Sequence, residues 1–101
     1  MPATTVFVDD HEFPTGDRWE AVAWSVPESD AFPEGIKYSF QYLGPANQEL
    51  LRYDNANDAR GVGRHHRHAS GRVEGIEFEG PRSHPDRFLQ EVERIHEQQF
   101  A

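Results

Sequence analysis

The chain has no cysteine, one lysine, one methionine and no long apolar run in its 101 residues. Without thiols it forms no disulfide, iron–sulfur centre or thiolate zinc site, so any metal would be held by nitrogen and oxygen alone. No apolar stretch approaches the roughly 20 residues that cross a bilayer. Met1-Pro2-Ala3-Thr4 does not open like a secretory signal either. The expected location is the cytoplasm, with no membrane partner. Lysine is replaced by arginine, nine to one, in a chain of net charge -8. An acidic, lysine-poor composition of this kind is halophile-like, or the mark of a GC-rich genome.

The apolar fraction is 36% and the mean hydropathy -0.84. A chain this short buries only about two-thirds of its unfolded surface, which leaves room for one modest core. Its aromatic residues, two Trp, three Tyr and seven Phe, must supply much of that core. Small polar chains often gain stability from a partner, so a homodimer is one candidate assembly.

Residues 1–17 are expected to form a flexible or edge-strand start, and residues 18–101 a single α+β domain. "RWEAVAWSV" has strand composition, with Trp19, Ala21 and Ala23 on one face and Val22, Trp24 and Val26 on the other. "IKYSFQYL" alternates cleanly, Ile36, Tyr38, Phe40 and Tyr42 against Lys37, Ser39 and Gln41. "GPANQ" turns the chain into "ELLRYD", an antiparallel return strand. "NANDARGVG" reads as a loop, and "RHHRHAS" leads through Gly71 into "RVEGIEFEG", where Ile76 and Phe78 share a strand face. The last segment is a helix. Ser83 is its expected N-cap with Pro85 in the first turn, and Phe88, Leu89, Val92 and Ile95 form an apolar stripe edged by His96. The fold class is therefore α+β: an antiparallel sheet of about four or five strands with a C-terminal helix packed on one face.

Charge is unevenly spread. Residues 1–34 hold eight acids and one base, whereas residues 49–72 hold three acids and five arginines, Arg52, Arg60, Arg64, Arg67 and Arg72. This basic island also contains His65, His66 and His68, half of the chain's histidines. An acidic total argues against nucleic acid as partner, and the island softens that argument.

Histidine titrates near neutrality, so a pair offers one base and one acid. Arginine binds phosphate oxygens bidentately and stays charged, and a carboxylate such as Asp54 orients an imidazole. Together these groups suit metal-independent RNA cleavage. If "RHHRH" is extended, His66 and His68 share one face, with His65 and Arg67 on the other; if it is a loop, all three histidines can converge. Catalytic candidates are thus His66, His68, Asp54 and His65, and phosphate-binding candidates are Arg52, Arg67, Arg64, Tyr53 and Asn55. No cofactor is expected. A competing reading gives His66 and His68 a metal ion, with Asp54, His84 or His96 completing the shell. The bland reading of "RYDN" is a strand end, with Tyr53 packed and Asp54 and Asn55 capping a turn.

Taken in order, "RWEAVAW", "KYSFQYL", "LLRYDNA", "RHHRH", "IEFEG" and the final helix resemble the TumE family of toxin–antitoxin proteins over residues 18–100. The specific part is Arg52-Tyr53-Asp54-Asn55-Ala56 followed by His65-His66-Arg67-His68. Asn57-Asp58 and Gly63-Arg64 stand where that pattern often has histidine and proline. The resemblance implies the toxin of a type II toxin–antitoxin pair, directed at RNA and endoribonuclease-like, with a helix-turn-helix antitoxin as partner. The alternatives are a non-enzymatic module that binds protein or nucleic acid, and a histidine-based metal-binding regulator.

Overall fold

The computed structural model describes residues 4–56 and 63–101. The expected loop residues 57–62, Asn57 and Asp58 among them, lie outside the described residues. Six strands follow in chain order: β1 (Thr4–Glu12), β2 (Arg18–Ser25), β3 (Ile36–Leu43), β4 (Glu49–Asp54), β5 (His66–Ala69) and β6 (Arg72–Gly75). Each pairs antiparallel with the next, giving one sheet of order β1-β2-β3-β4-β5-β6. Helix α1 (Gly80–Gln99) closes the chain.

The sheet has six strands rather than four or five, and the reason is local. Ser70 and Gly71 both take positive φ, 52° and 75°, the pattern of a two-residue hairpin turn whose twist matches its strands. Ala69 therefore pairs directly with Arg72, and residues 66–75 form two strands, β5 and β6. Ile76 and Phe78 fall after β6, not within it.

Parity decides the two faces. Trp19, Ala21 and Ala23 of β2, Tyr38, Phe40 and Tyr42 of β3, and Leu51 and Tyr53 of β4 are buried together with Phe88 and Val92 of α1. Phe88 lies edge-on to Tyr53, ring centroids 5.2 Å apart, and 5.5 Å from Phe40. This inner face carries the core. Val22, Trp24, Ser39, Gln41, Arg52 and Asp54 point to the outer face.

The helix begins at Gly80, earlier than Ser83, with Glu79 at the N-cap position and no side-chain cap. Pro81 occupies the first turn, where a missing N–H costs nothing; Pro85 lies within the helix and is buried. In place of a cap, His84 fastens this end. Its Nδ1 accepts from the Glu79 backbone N–H at 3.3 Å, so its proton is on Nε2, 2.9 Å from the Tyr38 hydroxyl. Tyr38 in turn meets His65 Nδ1 at 2.9 Å, and His65 Nε2 meets Glu34 Oε2 at 3.1 Å. Every donor along this His84–Tyr38–His65–Glu34 relay has an acceptor. The far end of the helix is tied by His96 Nδ1, 2.7 Å from Asp17 Oδ2. Buried Asp17 also accepts from Tyr42 at 2.5 Å and from Thr15. Burial alone would raise the Asp17 pKa; the hydrogen bonds from Thr15, Tyr42 and His96 outweigh it and hold the carboxyl below its ordinary range.

His84 is fully buried, and desolvation, helped by His65 and Arg87, pushes its pKa down to about 4. A group whose pKa falls on folding takes up protons preferentially in the unfolded chain between the two values. Stability is thus complete above about pH 6.5 and is lost as pH falls toward 4, by an amount on the order of 3 kcal/mol. Thermal unfolding from pH 7.5 to 4 should show a decline that is shallower in His84→Phe, which keeps the ring volume and removes the titration.

Candidate functional site

The "RHHRH" segment is extended from His66, so its side chains alternate. Register does the rest: Asp54 lies across from His66, Tyr53 from Arg67, and Arg52 from His68. Arg52, Asp54, His66 and His68 thereby meet on the outer face, while His65 and Arg67 turn to the inner one.

Asp54 is the hub. Its Oδ1 lies 3.1 Å from His66 Nδ1, and its Oδ2 lies 3.0 Å from Arg52 Nε and 3.8 Å from His68 Nε2. His66 is 2% exposed, and its Nε2 lies 2.5 Å from the Gly63 carbonyl oxygen. Both of its ring nitrogens are therefore engaged. Among the described residues the Arg52 Nε has no hydrogen-bond partner despite its closeness to Asp54, so the attraction there is coulombic. Arg52 NH2 lies 3.2 Å from both Nδ1 and Nε2 of His68. In-plane lone pairs on those two nitrogens diverge, so one NH2 this close to both rests against the ring face. Glu49 holds the other end of the guanidinium, 3.4 Å from NH1.

His68 differs from His66 in reach: its side chain is 16% exposed and that of Arg52 31%. Burial lowers the His68 pKa and the Arg52 charge lowers it further, against the opposing pull of Asp54 and Glu49. At neutral pH the ring keeps a free lone pair. The four residues thus combine a neutral base, a fixed cation and a carboxylate that positions both. Asp54, His66 and His68 also present one ligand atom each within 4.8 Å of one another.

The remaining candidates are placed elsewhere. His65 stands in the Glu34–Tyr38–His84 chain, stacked on Phe78 with ring centroids 5.0 Å apart. Arg67 is bound to Glu91 of α1 through Nε and NH2, and to Glu74 at 2.9 Å. Tyr53 is buried and donates to Glu91 Oε1 at 2.5 Å. Burial of Glu91 raises its pKa, but Arg67 and Tyr53 more than offset this and keep it ionised. Arg64 donates to the Asp30 carbonyl oxygen through Nε, at 2.8 Å, and through NH2. Asn55 is 3% exposed; it accepts from Tyr38 N at 3.0 Å and donates to the Ile36 carbonyl at 2.8 Å, locking β4 onto the start of β3. Sequence reasoning gave no role to Glu49 and read Glu91 as an i,i+4 partner of Arg87; the structure pairs Glu91 with Arg67 and Tyr53 instead, where α1 crosses β5, and Glu49 with Arg52.

Fold and site together define a class: a small α+β domain in which one helix covers one face of an antiparallel meander, and an Asp/His/Arg cluster occupies the other. The family model described as Toxin TumE matches residues 6–96, nearly the whole chain. The protein belongs to the TumE toxin family, and a toxin role follows, with an antitoxin as the partner such a role implies. Comparison with curated proteins and with solved structures gave no match. No helix among the described residues is long and apolar enough to cross a membrane.

The two arginines, on opposite faces of the sheet, should behave differently. Arg67→Ala leaves the largely buried Glu91 carboxylate without its cation and should cost about 1–3 kcal/mol in chemical denaturation. Arg52→Ala leaves Asp54 paired to His66 and should cost less than about 1 kcal/mol.

Proposed function

We propose that this toxin is an endoribonuclease of a type II toxin–antitoxin pair, acting on RNA through Arg52, Asp54 and His68 on the outer face. The observation that carries the reading is the cross-strand cluster itself: a neutral imidazole, a guanidinium and a shared carboxylate, partly exposed, on a face away from the core. In this reading His68 accepts the proton of a 2′-hydroxyl as that oxygen bonds to phosphorus. The bond from phosphorus to the 5′-oxygen breaks, and the leaving oxygen takes a proton from water. Arg52 stabilises the charge growing on the phosphoryl oxygens, a task for which a fixed guanidinium fork is suited. His66, buried with both nitrogens engaged, acts through Asp54 as a positioning residue. The chemistry calls on no cofactor. The basic island lets an acidic protein approach a phosphate backbone at one place, and the cognate antitoxin, which we assign to the helix-turn-helix class, holds the toxin inactive.

Two readouts test this. Induced expression should arrest growth, and His68→Ala should relieve the arrest while leaving the circular dichroism spectrum intact. Purified protein in the presence of a chelator should cleave RNA to 2′,3′-cyclic phosphate ends. It should spare a substrate with deoxyribose at the scissile position and lose roughly 100- to 10,000-fold in rate with His68→Ala. Growth arrest without any change in cellular or purified RNA removes the nuclease and leaves a toxin that works by binding.

A further inference from the structure

His66 lies between two groups that only accept hydrogen bonds, the Gly63 carbonyl oxygen and the Asp54 carboxylate. The Gly63 carbonyl can only accept a hydrogen bond, so the ring proton belongs on Nε2, 2.5 Å away. A singly protonated ring then turns a bare Nδ1 toward Asp54 Oδ1 at 3.1 Å, and two lone-pair atoms at that distance repel. A ring nitrogen whose opposite N–H is fixed by a backbone carbonyl is also how metal-bound histidines are held. Parity adds a second imidazole: His68 shares the outer face of β5 with His66, and its Nε2 lies 3.8 Å from Asp54 Oδ2.

We propose that Asp54, His66 and His68 bind one borderline divalent transition-metal ion, zinc or nickel in type, with His66 ligating through Nδ1. The three ligand atoms lie within 4.8 Å of one another. Tetrahedral zinc with bonds of about 2.0–2.1 Å holds its ligands about 3.3 Å apart, so small side-chain rotations close the shell and leave one position open. Two imidazoles with one carboxylate select zinc, nickel, cobalt or copper over magnesium and calcium, which prefer an all-oxygen shell. The nearby positive charge is balanced. Arg52 is paired with Glu49 at 3.4 Å and lies 3.0 Å from the second oxygen of Asp54. Metal binding does not depend on the RNA reading. Its consequence does: an ion that takes the His68 lone pair removes the proposed base, so zinc should inhibit cleavage and chelator restore it.

The test uses tag-free protein and calorimetric titration with zinc and nickel chloride, with thermal unfolding in parallel. One ion per chain should bind, raising the unfolding temperature, and magnesium or calcium should not. His68→Ala, at a partly exposed position that preserves the fold, should weaken zinc binding roughly 100-fold or more, beyond the loss of a merely supporting group. Asp54→Asn should weaken it too, and His11→Ala, on exposed β1, should leave it unchanged. No uptake of zinc, or uptake indifferent to His68→Ala and Asp54→Asn, overturns the proposal. Zinc uptake in a protein that never cleaves RNA leaves the metal site standing and removes the nuclease reading.

Discussion

The burial of Tyr38, Phe40, Tyr42, Leu51 and Tyr53 beneath Phe88 and Val92 is the constraint from which the rest of this molecule follows. Side chains on a strand alternate strictly, so committing one set to the core commits the other set to the opposite face. With Tyr53 inward, Asp54 and Arg52 face outward, and the β4–β5 register sends His66 and His68 after them. A slip of one residue would turn Asp54 toward Phe88 and bury a carboxylate in the apolar core, at high cost. The hydrophobic core thus selects the register that builds the site.

The inner face is not purely apolar, and its polar groups are used to hold the helix. Three tyrosine hydroxyls each meet a polar partner: Tyr38 with His65 and His84, Tyr42 with Asp17, Tyr53 with Glu91. A short chain rich in aromatics gains core area from tyrosine but must satisfy every buried hydroxyl. Two histidines and two carboxylates do this, which explains why so polar a sequence has an ordered helix–sheet interface. It also separates two populations of histidine, one that fastens helix to sheet and one that stands on the outer face.

Much of the fold was legible. The alternation of "IKYSFQYL" and the stripe through Phe88 and Val92 are direct imprints of burial, and both elements form where their patterns lie. The hairpin at Ser70-Gly71 was missed because its signal is a single pair of residues; the N-terminal edge strand was one of two expectations, beside a flexible start, because Val6 and Val8 are exposed and leave no burial pattern. The helix start was misplaced for a related reason. Ser83 offers the chemistry of a cap, but His84 and Pro85 are wanted in the core, and packing draws the helix back to Gly80. At the site, the extended reading of "RHHRH" separated His66 and His68 from His65 and Arg67 by parity alone.

The sequence by itself determined which residues alternate, and hence which side chains share a face within any one strand, because a period of two is a property of the backbone. The turn at "GPANQ" also announced the pairing of β3 with β4; only the tertiary structure decided the pairing of β4 with β5 and the register of every pair. That choice rests on contacts between residues far apart in the chain: Arg67 with Glu91, Tyr38 with His84, Asp17 with His96. Asp54 meets His66 because β4 and β5 pair, and no local pattern in either strand carries that information.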